Sequence, residues 1–144
     1  MKIFTIGFTK KSARTFFTKL RESGAQQVVD VRLNNVSQLA GFAKKDDLQF
    51  FLPEICHMGY VHLPILAPTA EMLDTYKKKG EWSAYERDFL ALMKSRDIEN
   101  NITREQIADG CLLCSEEKPH HCHRRLVAEY LREKWTDLEI VHIV

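Results

Sequence analysis

Val28, Val29 and Val31 form a run broken only by Asp30, and a continuous β-branched run of this kind suits a strand covered on both faces rather than one with a wet side. Other apolar runs share that character. Lys2–Ile6 precedes Gly7, Cys111–Cys114 reads Cys-Leu-Leu-Cys, and Ile140, Val141, Ile143 and Val144 close the sequence. Between them the spacing changes to the helical period. Ala13, Phe16, Phe17 and Leu20 recur behind Ser12, a residue suited to capping, and Gly24 ends the pattern, so the chain opens β-α-β. A long loop is expected over 32–45. Leu48, Phe51, Leu52 and Ile55 then make a helical stripe with a kink at Pro53, and Tyr60–Leu63 reads as a third strand. From 64 to 109 strand signals vanish, and Met72, Tyr76, Trp82, Tyr85, Phe89, Leu92 and Met93 predict two helices separated by Lys77–Lys79 and Gly80. Leu126, Val127, Tyr130 and Leu131 mark a last helix.

Strands alternating with helices predict one three-layer α/β domain over 1–144, with a mainly parallel, Rossmann-like (doubly wound) sheet of about five strands, helices on both faces and a helical insertion at about 64–109. A chain of 144 residues can bury a sizeable core without a staple. Lys plus Arg number 21 against 20 for Asp plus Glu, so a net charge of +1 offers no general attraction to nucleic acid or an anionic membrane, and an anionic partner must meet a local patch. The amino terminus lacks a signal-peptide apolar region and no stretch approaches membrane-spanning length, which leads us to expect a cytoplasmic protein without a membrane partner. Four cysteines fall below disulfide-scaffold density, so free thiols are expected.

Chemistry-bearing residues concentrate between Cys111 and Arg125, which hold three of the four cysteines and three of the six histidines on a strand-to-helix loop. In a parallel sheet, ligands bind beyond the carboxyl ends of the strands. That edge would gather Gly7, Phe8 and Thr9 after the first strand, Asp30 and Arg32 at the second, and Cys114 and Glu116 ahead of Cys122, His123 and Arg124. One reading is anion binding by Arg32, Arg124 and the last helix's N–H groups, with Gly7 and Thr9 alongside; against it, Asp30 with Arg32 and Glu116 with Arg124 could simply be structural ion pairs. A second is nucleophilic catalysis by Cys114 or Cys122 at a helix amino terminus, with His123 nearby and Asp30 or Glu116 as general acid or base; against it, Cys122 shares a packing stripe with Leu126 and Tyr130. A third is zinc. Cys111 and Cys114 cannot share an ion if they lie three apart on a strand, which leaves Cys114, Cys122 and His123 as donors, and no bound metal is the main expectation. Lys10, Lys11, Arg14 and Lys77–Lys79 could contact phosphates, although clustered lysines usually make a solvated face, and Trp82, Tyr85 and Phe89 read as core rather than a stacking platform.

The motifs Thr5-Ile6-Gly7, Asp30-Val31-Arg32, Leu112-Leu113-Cys114-Ser115-Glu116, Pro119, Cys122-His123-Arg124 and Val141-His142-Ile143 resemble, in order and along the whole chain, the family catalogued as domain of unknown function 488. The resemblance implies a link to nucleic-acid processing but no defined activity. Phe8-Thr9 stands where the family pattern has His-Ser, so a mechanism using that histidine would fail here, and Asn34 and Asn35 replace the usual downstream proline. A fainter likeness to sulfurtransferases of the rhodanese type rests on an early Asp-Val-Arg and a later strand-end cysteine. The expectation is thus an enzyme acting on a nucleotide or nucleic-acid phosphate through a cysteine-containing pocket, with a non-catalytic ligand- or partner-binding module, and a zinc-dependent or sulfur-transfer protein, as alternatives.

Overall fold

The computed structural model describes residues 1–36 and 41–144. Five strands, β1 (Lys2–Gly7), β2 (Gln27–Asp30), β3 (Gly59–His62), β4 (Gly110–Cys114) and β5 (Glu139–His142), form one sheet in the order β3-β2-β4-β1-β5, every pairing parallel. Parallel neighbours need crossovers, and the helices supply them: α1 (Ala13–Ser23), α2 (Lys45–Phe51), α3 (Ala70–Lys79), α4 (Trp82–Ser95), two single turns α5 (Ile98–Asn101) and α6 (Arg104–Ile107), and α7 (His123–Lys134). This is the three-layer α/β domain expected from the apolar runs. The helical insertion is present as α3 to α6.

Alternation along each strand divides the core into two layers. Cys111 and Leu113 of β4, Val28 of β2, and Phe4 and Ile6 of β1 pack with Phe16, Phe17 and Leu20 of α1 and Leu48 of α2. Leu112 and Cys114, Val29 and Val31, and Ile3 face the opposite way, against Phe89 and Met93 of α4 and Leu126, Val127 and Leu131 of α7. Both layers are sealed, which is why the strands read as continuous apolar runs.

Local signals act where expected. The Ser12 hydroxyl accepts from Thr15 N–H at 3.1 Å and starts α1, while Gly24, at φ 85°, ends it in the left-handed region. Pro53 widens rather than bends its helix: α2 passes into a π-helical turn over Leu52–Cys56. Of the loop expected over 32–45, Asn35 accepts from Lys45 N–H at 2.8 Å and Gly41–Ala43 forms a 3-10 turn, with 37–40 outside the described residues. No described helix is long and apolar enough to cross a membrane.

After β2 the chain moves outward to β3, and after β4 it crosses to the far edge at β5. Strand order therefore reverses between β2 and β4. Their carboxyl ends diverge there, and a crevice opens.

Candidate functional site

At that crevice lies a cavity of about 410 Å³, walled by Phe8, Arg32, Leu33, Pro68, Leu73, Tyr76, Lys77, Trp82 and Tyr85, with Cys114, Ser115, Glu116, His121, Cys122 and His123 at its base and rim. Each sulfur arrives there for a local reason. Cys114 is the last residue of β4 and points into the α4/α7 layer by strand alternation, whereas Cys111 points to the other layer. Cys122 is the cap residue of α7 and His123 its first helical residue, so both stand over the end of β4.

The three donors are close-set. The Cys114 Sγ lies 3.4 Å from His123 Nδ1 and 3.8 Å from Nε2. The same Nε2 is 2.7 Å from the backbone carbonyl of Val31. A carbonyl can only accept, so Nε2 carries the proton and Nδ1 is the unprotonated nitrogen, with the sulfur beside the ring at similar distances from both.

Electrostatics single out one thiol. The hydrogen bond from the Cys122 thiol pulls Cys114 below its ordinary value of 9.0 in spite of burial, and the Ser115 N–H, the positive Arg124 and the Ser115 side chain pull the same way. Burial pushes Cys122 well up, and its bond to Cys114 adds to that. Burial likewise raises Cys111 and Cys56. All four cysteines are free and buried, yet Cys114 alone is drawn below its ordinary value. Burial also raises Tyr85, which stays a neutral hydroxyl at the cavity wall.

Arg124 serves the frame. It is fully buried, donating from Nη1 to the Glu116 carbonyl at 2.7 Å and from Nη2 to that of Glu117 at 3.3 Å, and it does not line the cavity. Gly7 belongs to the same clamp: a Cβ there would stand 1.5 Å from the Glu116 carbonyl oxygen, a distance no side chain tolerates. Thr9 is exposed and bonds to the Ser115 carbonyl through its N–H at 3.0 Å.

Asp30 sits elsewhere. It is fully buried on the α1/α2 side of the sheet, paired with Arg32 at 2.8 Å and accepting from the Tyr60 hydroxyl at 2.5 Å. Arg32 also donates to the Ala43 carbonyl at 2.7 Å, and its guanidinium lies 5.3 Å from the Phe8 ring at the cavity wall. The Asp30–Arg32 pair is thus a fastener that also presents Arg32 to the cavity. Glu116 is exposed at the rim, its carboxylate separate from Arg124. His62 bonds the Arg32 carbonyl at 2.7 Å and His142 the Thr5 hydroxyl at 2.6 Å, away from the thiols.

The sequence did not announce several participants. Val31 contributes a backbone carbonyl and Ser115 a backbone N–H, neither of which has a letter. Trp82 stacks on His121 with centroids 4.9 Å apart and on Tyr85 at 5.2 Å, so the aromatic stripe of α4 is both core and cavity wall.

Cys114, Cys122 and His123 offer donor atoms within 4.8 Å of one another, a spacing that could hold a soft metal ion. The family described as Domain of unknown function DUF488 matches residues 12–131. The chain belongs to that family. Within the matched span lie Asp30-Val31-Arg32 and the entire Cys114–Arg124 segment, whereas β1 and β5 fall outside it. The DUF488 description names no activity, so function here must be argued from the site. No curated protein and no solved structure matches the chain.

Proposed function

We propose that this DUF488 protein is an enzyme of covalent catalysis in which Cys114 is the nucleophile and His123 its base. The observation that carries this is the contact between Cys114 Sγ and the His123 ring, which the Val31 carbonyl holds through Nε2, at an open cavity. Nδ1 takes the thiol proton, the sulfur forms a bond to an electrophilic centre, and the leaving group departs with the proton from His123. Water then releases the bound group and the thiol regains its proton. The 3.4 Å contact is loose, as such contacts often are before substrate seats. Cys122 and Ser115 position the thiolate by donating to it.

The walls support a substrate class. Tyr76, Trp82 and Tyr85 offer flat apolar surfaces, and Arg32 and Lys77 bring positive charge to the same cavity. A planar ring joined to an anionic group, as in a nucleotide, fits both features. At about 410 Å³ the cavity suits a small molecule or one flipped-out nucleotide rather than a duplex.

Iodoacetamide at neutral pH, read by peptide mass mapping of the full chain, tests the nucleophile. Cys114 should label at least about tenfold faster than Cys56, Cys111 and Cys122, and His123→Ala should slow it by about 10²-fold. Uniformly slow labelling would favour the binding-module reading. A second reading, a metal centre, follows from the 4.8 Å donor cluster. Stoichiometric zinc in protein purified without chelator, with labelling restored by chelator, would select it.

A further inference from the structure

Cys122 does more at this site than the nucleophile reading requires. Its thiol donates to Cys114 and makes no capping bond to its own helix, although burial alone would have suited a small apolar residue. Both sulfurs border the same cavity, so both meet whatever enters it. Cys56 lies in the α1/α2 layer bonded to the Phe17 carbonyl, and Cys111 in that same layer, whereas Cys114 and Cys122 stand together on the other side of the sheet with their sulfurs within 4.8 Å.

We propose that Cys114 and Cys122 form a two-electron redox couple: Cys114 reduces a hydroperoxide, and Cys122 then closes an internal disulfide. The inference rests on the same thiolate as the reading above and assigns it a second activity. The sulfurs stand within 4.8 Å, and a disulfide needs about 2 Å. The difference falls on the irregular segment between β4 and α7, which can adjust without unpairing the sheet.

The chemistry balances. Cys114 thiolate attacks the terminal peroxide oxygen, an S–O bond forms, the O–O bond breaks, and the departing alkoxide takes the proton held on His123 to leave as an alcohol. The Cys122 thiol then attacks the Cys114 sulfenic acid, an S–S bond forms, and the hydroxide leaves with the Cys122 proton as water. Sulfur is oxidised by two electrons and peroxide reduced by two. A thiol reductant returns the pair to its starting state. The walls of Phe8, Leu73 and Trp82 favour a hydroperoxide with an apolar body, while the Ser115 N–H can polarise the breaking bond.

The test treats the full chain with one equivalent of cumene hydroperoxide or of hydrogen peroxide at neutral pH, followed by acid quench, intact mass and peptide mapping. Expected is a mass lower by two hydrogens with Cys114 joined to Cys122, formed faster with cumene hydroperoxide. Equal rates with both peroxides would keep the couple and overturn the apolar-body preference. Cys122→Ser should stop at a sulfenic acid on Cys114, trapped by dimedone, while Cys111→Ser should leave the disulfide yield unchanged. A disulfide to another cysteine, or unchanged wild-type mass, overturns the couple. Fast iodoacetamide labelling of Cys114 with no disulfide overturns this inference alone, and slow labelling overturns the nucleophile reading with it. Because the mapping is made on wild-type protein, a variant that fails to fold does not blunt it.

Discussion

At the scale of single residues, the decisive contrast is between two cysteines eight positions apart with opposite tendencies to ionise. A thiol held below its ordinary value ionises at lower pH, so the alkylation rate of Cys114 should reach its plateau at lower pH than that of a free thiol, whose midpoint is about 8.5. Replacing Cys122 with Ala removes the largest of the downward pulls, and the plateau should then move to higher pH; a profile that stays put would remove Cys122 from the thiolate's support. Arg124 illustrates a different lesson. From its letter and its place beside His123 it was expected to bind an anion, yet its forked donors are committed to two backbone carbonyls. Arg124→Met would leave those acceptors unsatisfied, and a loss of about 1–3 kcal/mol in denaturant-melt stability is expected.

Among the elements, β1 and the segment after β4 are locked together. The carbonyl of Glu116 occupies the space a side chain on residue 7 would need. Gly7→Ala should therefore cost about 1–3 kcal/mol through overpacking and, by displacing the Ser115–Glu117 backbone, slow Cys114 alkylation. Unchanged alkylation with lowered stability would confine the clamp to a structural role. Much of this scale could be read from the letters. The Val28–Val31 and Cys111–Cys114 runs specified sealed strands, and Ser12 and Gly24 marked both ends of α1. The π-helical turn at Leu52–Cys56 could not be read, because Pro53 signals an interrupted helix without saying how the backbone reroutes its bonds. Nor could the side of the sheet that Asp30 takes be set against that of Cys114 until strand register was known.

For the whole molecule, two sealed layers meet at a sheet whose order reverses between β2 and β4, and the cavity sits at that reversal. Gathering Cys114, Cys122 and His123 there followed from topology, whereas the aromatic wall from α4 depended on how the insertion folds back across the sheet. Stability of the assembled sheet should carry a pH signature from its last strand. Burial holds His142 below 6.5, with the positive Arg124 adding to it, so the folded state prefers the neutral ring. That contribution is fully present above pH 6.5 and is lost as pH falls through the lower folded value. Thermal melts should drop across that acid window, and His142→Gln should flatten the drop; an identical curve would assign acid sensitivity to other groups.

The Val31 carbonyl that steers His123 is part of the main chain, and no amino-acid replacement deletes it. A scan of every position to alanine would therefore report Val31 as a core packing site alone while its oxygen went on aiming the imidazole. Only an ester in place of the following amide, which weakens that oxygen as an acceptor, would make its contribution visible.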